Sequence, residues 1–225
     1  MKSILVITPI LNEEDEIEAL LRNLKGAGEG FEVIFADGGS TDRTNEIIGK
    51  SHKIISSEKG RSKQMNAGAK SACGSIFLFL HADSRLPYGF CTEINKIFES
   101  GGMAGCFPIK FDSSAPLLSI CAYMSNARAR FRQIAFGDQG LFITRELFED
   151  LGGFPEIPLM EDYMMSELIA QRTKIMLAEK YITTSARRFE KHGILRTMWL
   201  MQKLQYLYRK GVSTDILAEI YRSGK

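Results

Sequence analysis

No two cysteines in this chain of 225 residues stand in a C-x-x-C pattern; Cys73, Cys91, Cys106 and Cys121 are scattered. That spacing gives no zinc or dithiol site, and isolated thiols in apolar or mixed segments read as buried and reduced. Apolar runs are short as well, and none approaches the ~20 residues that cross a bilayer. The start, Met1-Lys2-Ser3 before Ile4 to Ile7, has the charge and apolarity of a leader. Asn12-Glu13-Glu14-Asp15-Glu16 follows at once, with no small-residue cleavage site. The expectation is a cytoplasmic protein without a transmembrane segment. A charge excess is missing too: 29 Lys and Arg against 27 Asp and Glu leave +2. Nucleic acid is therefore not an expected partner, although a local basic patch is allowed. No strand is followed by G-x-G-x-x-G, which disfavours a dinucleotide-dependent oxidoreductase.

What is present is alternation. Ile4 to Thr8, Phe31 to Ala36, Lys53 to Ser56 and Ile76 to Leu80 read as strands. Between them, Ile17, Leu20, Leu21 and Leu24 share one face of a helix from Glu13 to Leu24. Ser40-Thr41-Asp42 supply caps for a helix through Ile47 and Ile48. Ser62 to Ala72 forms a third helix, and Pro87 opens a fourth carrying Phe90, Ile94, Ile97 and Phe98. Further on, Ala115 to Arg132 reads as a helix with Leu117, Ile120, Cys121 and Met124 on one face. Gly140 to Thr144 and Tyr181 to Ala186 read as strands, and Glu161-Asp162 and Ile194 open helices. The pattern predicts an α/β fold, a Rossmann-like, mainly parallel sheet with helices on both faces, in one domain. In such sheets ligands bind beyond the carboxyl ends of the strands.

Polar clusters occupy those ends. Asp37-Gly38-Gly39-Ser40-Thr41-Asp42 follows the second strand; two glycines let the backbone turn sharply and approach a ligand. Taken alone, that segment reads equally as a nucleoside site or as a plain strand-to-helix turn. Asp83 in His81-Ala82-Asp83 ends the fourth strand, where a carboxylate is placed to hold a divalent metal against a diphosphate. Alone, it reads as a solvated turn residue before Pro87.

Together, Thr8-Pro9-Ile10-Leu11-Asn12-Glu13-Glu14, Asp37 to Asp42, His81-Ala82-Asp83 and Glu161-Asp162 resemble, in order and spacing, the family 2 glycosyltransferases of GT-A fold. Gly60 to Gly68, Gly137 to Phe142 and Arg187-Arg188-Phe189 are similar to small bacterial members associated with arsenosugar or selenium genes. The resemblance implies one GT-A domain over residues 1–225, with a nucleotide-binding half at 1–110 and an acceptor half at 111–225. It implies a nucleotide-diphosphate sugar donor, UDP- or GDP-linked, a divalent metal (Mg or Mn), and a small-molecule or lipid-linked acceptor. Pro9, Asn12, Glu13, Asp37, Gly39, Arg61, Asn66 and Asp83 would face the nucleotide sugar. Asp83 would ligate the metal, with His81 or His192 as further ligands. Asp162, beside Glu161, would be the general base of an inverting transfer. Asp138, Gln139 and Arg188 would hold acceptor or donor sugar. The family carries Asp where this chain has His81; an imidazole can reach the ribose or ligate a transition metal.

Arg128, Arg130 and Arg132 read as a solvated basic helix end, with an anionic-acceptor site as the sharper reading. The helix around Trp199, Leu200 and Leu204 reads as packed on the core; a membrane surface or a homodimer face is the alternative. Two rival functions stay open, a sugar-phosphate nucleotidyltransferase and a non-catalytic nucleotide-sugar binding protein.

Overall fold

The computed structural model describes residues 3–71 and 73–224; Met1, Lys2 and Ala72, the expected end of the third helix, lie outside them. The first half runs β1 (Ile4–Ile10), α1 (Glu14–Gly26), β2 (Phe31–Asp37), α2 (Thr44–Ile48), β3 (Lys53–Ser56), α3 (Arg61–Lys70) and β4 (Ile76–Phe79). Next come β5 (Ser84–Arg85), α4 (Phe90–Glu99), β6 (Ala104–Cys106), β7 (Ile109–Phe111) and α5 (Pro116–Arg132). After a 3-10 turn at Gly137–Gln139 follow β8 (Phe142–Thr144), α6 (Arg145–Asp150), α7 (Glu161–Ala170), β9 (Ile175–Leu177) and β10 (Ile182–Thr184). Helices α8 (Arg187–His192), α9 (Ile194–Arg209) and α10 (Thr214–Ser223) end the described chain.

Seven strands form the central sheet in the order β3-β2-β1-β4-β8-β6-β9. The pairs among β1 to β4 are parallel, and β8 runs antiparallel between β4 and β6. Strand side chains alternate between faces. Ile4, Val6, Ile76 and Leu78 therefore join α1 and α4 in one core layer, which also holds Ile17, Leu20 and Phe90. Leu5, Ile7, Phe77 and Phe79 join α3, α6 and α7 in the other, with Met65, Phe148 and Met165. A third cluster, with Leu159, Tyr163, Leu200, Leu204 and Leu217, ties α7 to α9 and α10. Strand order reverses between β1 and β4, so the crevice beyond their carboxyl ends is the topological switch point.

A single buried side chain fastens that edge. The Gln64 amide donates to Ile10 O at 2.7 Å and to Ala36 O at 2.8 Å, joining the ends of β1 and β2 from beneath. Gly38 is glycine for this reason, because a Cβ there would lie 3.0 Å from the Gln64 amide carbon. Gly39 takes a φ of +94°, where a side chain would be strained.

Three expectations change. The strands β5, β6, β7 and β9 are two or three residues long, too short to show a period. Helix α5 does not bury Leu117, Ile120 and Met124; these are exposed, and Leu118, Ala122 and Ala129 face inward. At roughly 1.5–3 kcal/mol per fully buried large side chain, α4 with four such residues is far better anchored than α5 with one. The polar clamp of Asn126 on both backbone groups of Ile109 makes up part of the difference. Finally, Asp42 rather than Ser40 or Thr41 accepts the Thr44 N–H at the start of α2, at 3.0 Å.

Exchanging Gln64 for Leu removes two hydrogen bonds and is expected to lower stability by about 1–3 kcal/mol. Urea unfolding should show a lower midpoint with an unchanged slope.

Candidate active site

The turns after β1 and β2 are stitched together. Asn12 N donates to Ser40 Oγ (3.0 Å), and Asn12 Oδ1 accepts from Thr41 N (2.8 Å). Glu13 N donates to Thr44 Oγ1 (2.8 Å) and Glu14 N to Asp42 Oδ2 (3.1 Å). Asn12 reaches these partners at a φ of +54°, a conformation asparagine tolerates. Asp37 is buried and accepts from Ser40 N (2.9 Å), Ser40 Oγ (2.6 Å) and Asn45 Nδ2 (2.9 Å). Burial opposes its charge, but the hydrogen bonds from Ser40 and Asn45 prevail and hold its carboxyl below the ordinary range.

A cavity of about 1200 Å³ opens beside this edge. Its wall gathers Arg61, His81, Asp83, Asp138, Glu161 and Asp162, which the chain separates by up to 101 positions. Arg188 and His192 stand on the same wall. Pro9, Asn12, Glu13, Asp37 and Gly39 do not line it; they form the neighbouring rim at the ends of β1 and β2.

Each wall residue has a local cause. Asp162 sits in the first turn of α7, where its Oδ1 accepts from Tyr163 N (2.7 Å) and its Oδ2 from Gly137 N (2.9 Å). The helix begins from Met160 at a φ of +70°, strain that aims Glu161 and Asp162 at one point. Glu161 is buried, with Arg61 Nη1 3.7 Å from its Oε1. Burial and then the Asp162 charge push its carboxyl well above the carboxylate range, against the pull of Arg61. Asp138 is raised to about 6 by burial, and its Oδ1 is buried without a hydrogen-bond partner. The His81 ring lies against Gly137, where a Cβ would fall 2.3 Å from ring atoms. Burial and Arg61 lower its pKa, so the imidazole is neutral at pH 7, despite Asp83 and Asp162 nearby.

The small sheet β5-β10-β7 brings the late segment in. Ser185 N donates to Asp83 O (3.1 Å), which sets α8 beside the end of β4. There Arg187 faces Glu13 (3.9 Å) and Glu16 (3.5 Å), and Arg188 stacks on the Tyr221 ring at 3.8 Å and donates to its hydroxyl. Burial, then Asp83, raises the Glu13 pKa, which Arg187 counters.

Two expected ligands are occupied elsewhere. The Asn66 amide clamps the backbone of Phe154, donating to its carbonyl (2.9 Å) and accepting from its N–H (2.8 Å), and so braces the loop before α7. Gln139 is wholly buried behind the wall and accepts from Arg128 Nη2 at 3.1 Å. Conversely, Arg128 is no solvated helix end. It donates to Ile134 O (3.2 Å), lies 3.8 Å over the Phe136 ring and lines the cavity near Asp138 and Asp162. The signal was there: at about 100° per residue Arg128 falls on the stripe of Leu117 and Met124.

Among the described residues no group of three His, Cys, Asp or Glu side chains is assembled for a metal. Asp83 accepts one long hydrogen bond, from Ser84 Oγ at 3.4 Å, and His81 beside it is neutral. The Asp83 carboxylate alone fits a cation such as Mg²⁺, which takes its remaining ligands from water and substrate phosphates; an imidazole ligand beside it would favour a transition metal.

A mainly parallel sheet whose switch point faces this carboxylate-rich cavity is the GT-A fold, and two groups of solved structures share it. S. aureus TarS aligns with a TM-score of 0.66 at 21% identity, over 88% of this chain and 64% of its own. The mannosyltransferase PcManGT from Pyrobaculum calidifontis, in complex with GDP-Man and Mn²⁺, aligns at 0.67 and 20% identity, over 91% and 61%. Residues 5–151 match the model of glycosyl transferase family 2, and the chain belongs to that family. Among curated relatives, a dolichol-phosphate mannosyltransferase of Pyrococcus furiosus is 33% identical over 43% of this chain. An undecaprenyl-phosphate 4-deoxy-4-formamido-L-arabinose transferase of Pectobacterium carotovorum is 26% identical over 39%. The chain covers about a third of either relative's length (30% and 31%).

Asp138→Asn removes a buried charge. Because the folded pKa is raised, the carboxylate destabilises the fold above about pH 6 and costs nothing once protonated in both states. The variant should therefore unfold at a higher Tm than the parent at pH 8. That gain should shrink as pH falls below 6 and vanish near 4, in thermal melts across pH.

Proposed function

We propose that the chain transfers a sugar from a UDP- or GDP-linked donor to an acceptor hydroxyl, with inversion at the sugar carbon. The observation that carries this reading is the convergence of Asp83, Glu161, Asp162 and Arg61 on one cavity at the switch point of a family 2 chain. The nucleoside would lie on the rim formed by Pro9, Asn12, Glu13, Asp37 and Gly39. The diphosphate would extend past Asp83 towards Arg61 and Arg188. A divalent cation held by Asp83, with His81 or His192, would neutralise charge on the departing phosphate.

Asp162 would accept the proton of the acceptor hydroxyl. The acceptor oxygen bonds to the anomeric carbon while the pair of the carbon–oxygen bond leaves with the diphosphate. Two backbone N–H groups fix the Asp162 carboxylate and leave lone pairs to take the proton. Burial, and then the Asp162 charge, raises the Glu161 pKa to about 7, so Glu161 is part-protonated near neutral pH and is the poorer proton acceptor of the two. Asp138, with Arg128 behind it, would hold the acceptor or the transferred sugar. Relatives named for dolichol-phosphate and undecaprenyl-phosphate favour a lipid-linked acceptor over a free small molecule.

A thermal-shift screen of nucleotide sugars with Mg²⁺ and Mn²⁺ should find one donor that stabilises the chain only with metal. Asp83→Ala should lose that metal-dependent binding in titration calorimetry; full affinity in the variant would remove Asp83 from the metal. Asp162→Asn should keep donor affinity and lose about 10²–10⁴ in transfer rate; a variant that no longer binds donor makes Asp162 a donor ligand instead. Pyrophosphate release from a sugar 1-phosphate and a nucleoside triphosphate would decide for the nucleotidyltransferase.

A further inference from the structure

The outward faces of α5 and α9 are left unexplained by folding. Leu117, Ile120, Met124 and Phe131 follow one another at i, i+3, i+7 and i+14, a stripe about 60° wide on a helix of ~100° per residue. Phe131 is 78% exposed and the neighbouring Tyr123 75%. Leu195, Trp199 and Tyr206 fall within about 40° of one another on α9 by the same geometry, and Leu195 and Trp199 are 66% and 60% exposed. Both helices already meet the core elsewhere, through Leu118 and Ala122 and through Leu200 and Leu204. The exposed apolar residues are thus additional to those the fold uses.

Charge is concentrated on the same helices. Together α5, α8 and α9 carry nine Arg and Lys against the single acid Glu190, in a chain whose net charge is only +2; Arg128, Arg187 and Arg188 are engaged within the fold, which leaves Arg130, Arg132, Lys191, Arg196, Lys203 and Arg209 for the outer surface. The rest of the molecule is therefore net acidic. A two-fold contact between copies through this face would set cations against cations. An anionic surface with an apolar interior answers both halves of the pattern at once, and aromatic side chains among Arg and Lys are the composition of helices lying at a bilayer interface. No described helix is long and apolar enough to cross a membrane, so contact lies along the surface. Tyr123, Phe131 and Trp199 also form the cavity wall, so the apolar face continues into the mouth of the site.

We propose that the exposed faces of α5 and α9 dock onto an anionic lipid bilayer, with the cavity mouth turned to the headgroups. This deepens the function proposed above, which it supplies with a route for a lipid-linked acceptor. Arg130, Arg132, Lys191 and Arg196 meet the headgroups, while Ile120, Phe131, Leu195 and Trp199 enter the acyl boundary.

Trp199 is the chain's one tryptophan, so its emission reports the contact directly. The full chain is mixed, without donor, with vesicles of phosphatidylcholine alone or with phosphatidylglycerol. Sedimentation with the anionic vesicles and a blue-shifted Trp199 emission are expected. Ile120→Glu with Leu195→Glu should weaken vesicle binding at least tenfold while keeping the melting temperature. Absence of binding to anionic vesicles overturns the proposal. So does binding that the double variant retains and salt alone removes, since that is charge adhesion without insertion. A dimer in sedimentation velocity that the double variant dissociates, with no vesicle binding, assigns the face to a second copy instead. Because no donor is present, a chain that binds vesicles yet transfers no sugar defeats only the enzymatic reading. One that transfers sugar yet ignores vesicles defeats only the docking.

Discussion

Four carboxylates crowd one cavity, and the repulsion among them is the constraint that organises the rest. Asp83, Asp138, Glu161 and Asp162 line a common wall, and carboxylates set this close disfavour one another's charged forms. Relief comes from two directions. Arg61 approaches from the start of α3 and meets Glu161; Arg128 comes from α5, held by Ile134, Phe136 and Gln139. Glu161, raised to about 7, relieves part of what remains by binding a proton near neutral pH, while Asp138, raised to about 6, still carries its charge there. The surroundings thus give the carboxylates of the wall unequal proton affinities. A fold holding such a group forfeits stability at neutral pH for it.

The scaffold around these carboxylates is fastened differently on its two sides. On the β1–β2 rim, Gln64 and the Asn12–Ser40–Asp37 chain of hydrogen bonds tie neighbouring turns into one unit. Across the cavity, α5 is held by one buried leucine, two alanines and the Asn126 clamp. The two sides are thus fastened by different means, hydrogen bonds between neighbouring turns on the first and a small packed contact with one amide clamp on the second.

Much of this was legible in the residues. The alternation of β1, α1, β2, α2, β3, α3 and β4 is visible because each element is long enough, or apolar enough, to show its period. Asp83 was legible as a carboxylate at a strand end, and Glu161 and Asp162 as the start of a helix; grouping them into one site took the ordered resemblance, and the structure sets all three on one cavity wall. The misreadings share a cause. Asn66 and Gln139 are polar residues beside the site whose amides are engaged within the fold, Asn66 by the backbone of Phe154, 88 positions away, and Gln139 by the Arg128 guanidinium and the Phe136 N–H. No local pattern records such a partner. The outward turn of α5 was missed because a stripe of Leu, Ile and Met looks the same whether it meets a core or the outside.

The contact between His81 and Gly137 restricts the order in which this site can change. With an imidazole at position 81, any side chain at 137 would collide with it at 2.3 Å, so only glycine fits. A shorter residue at position 81 would lift that restriction. Position 137 is therefore free to vary only after position 81 has changed, and its N–H bond to Asp162 is protected from drift meanwhile. One histidine ring thus constrains the residue whose N–H holds the Asp162 carboxylate.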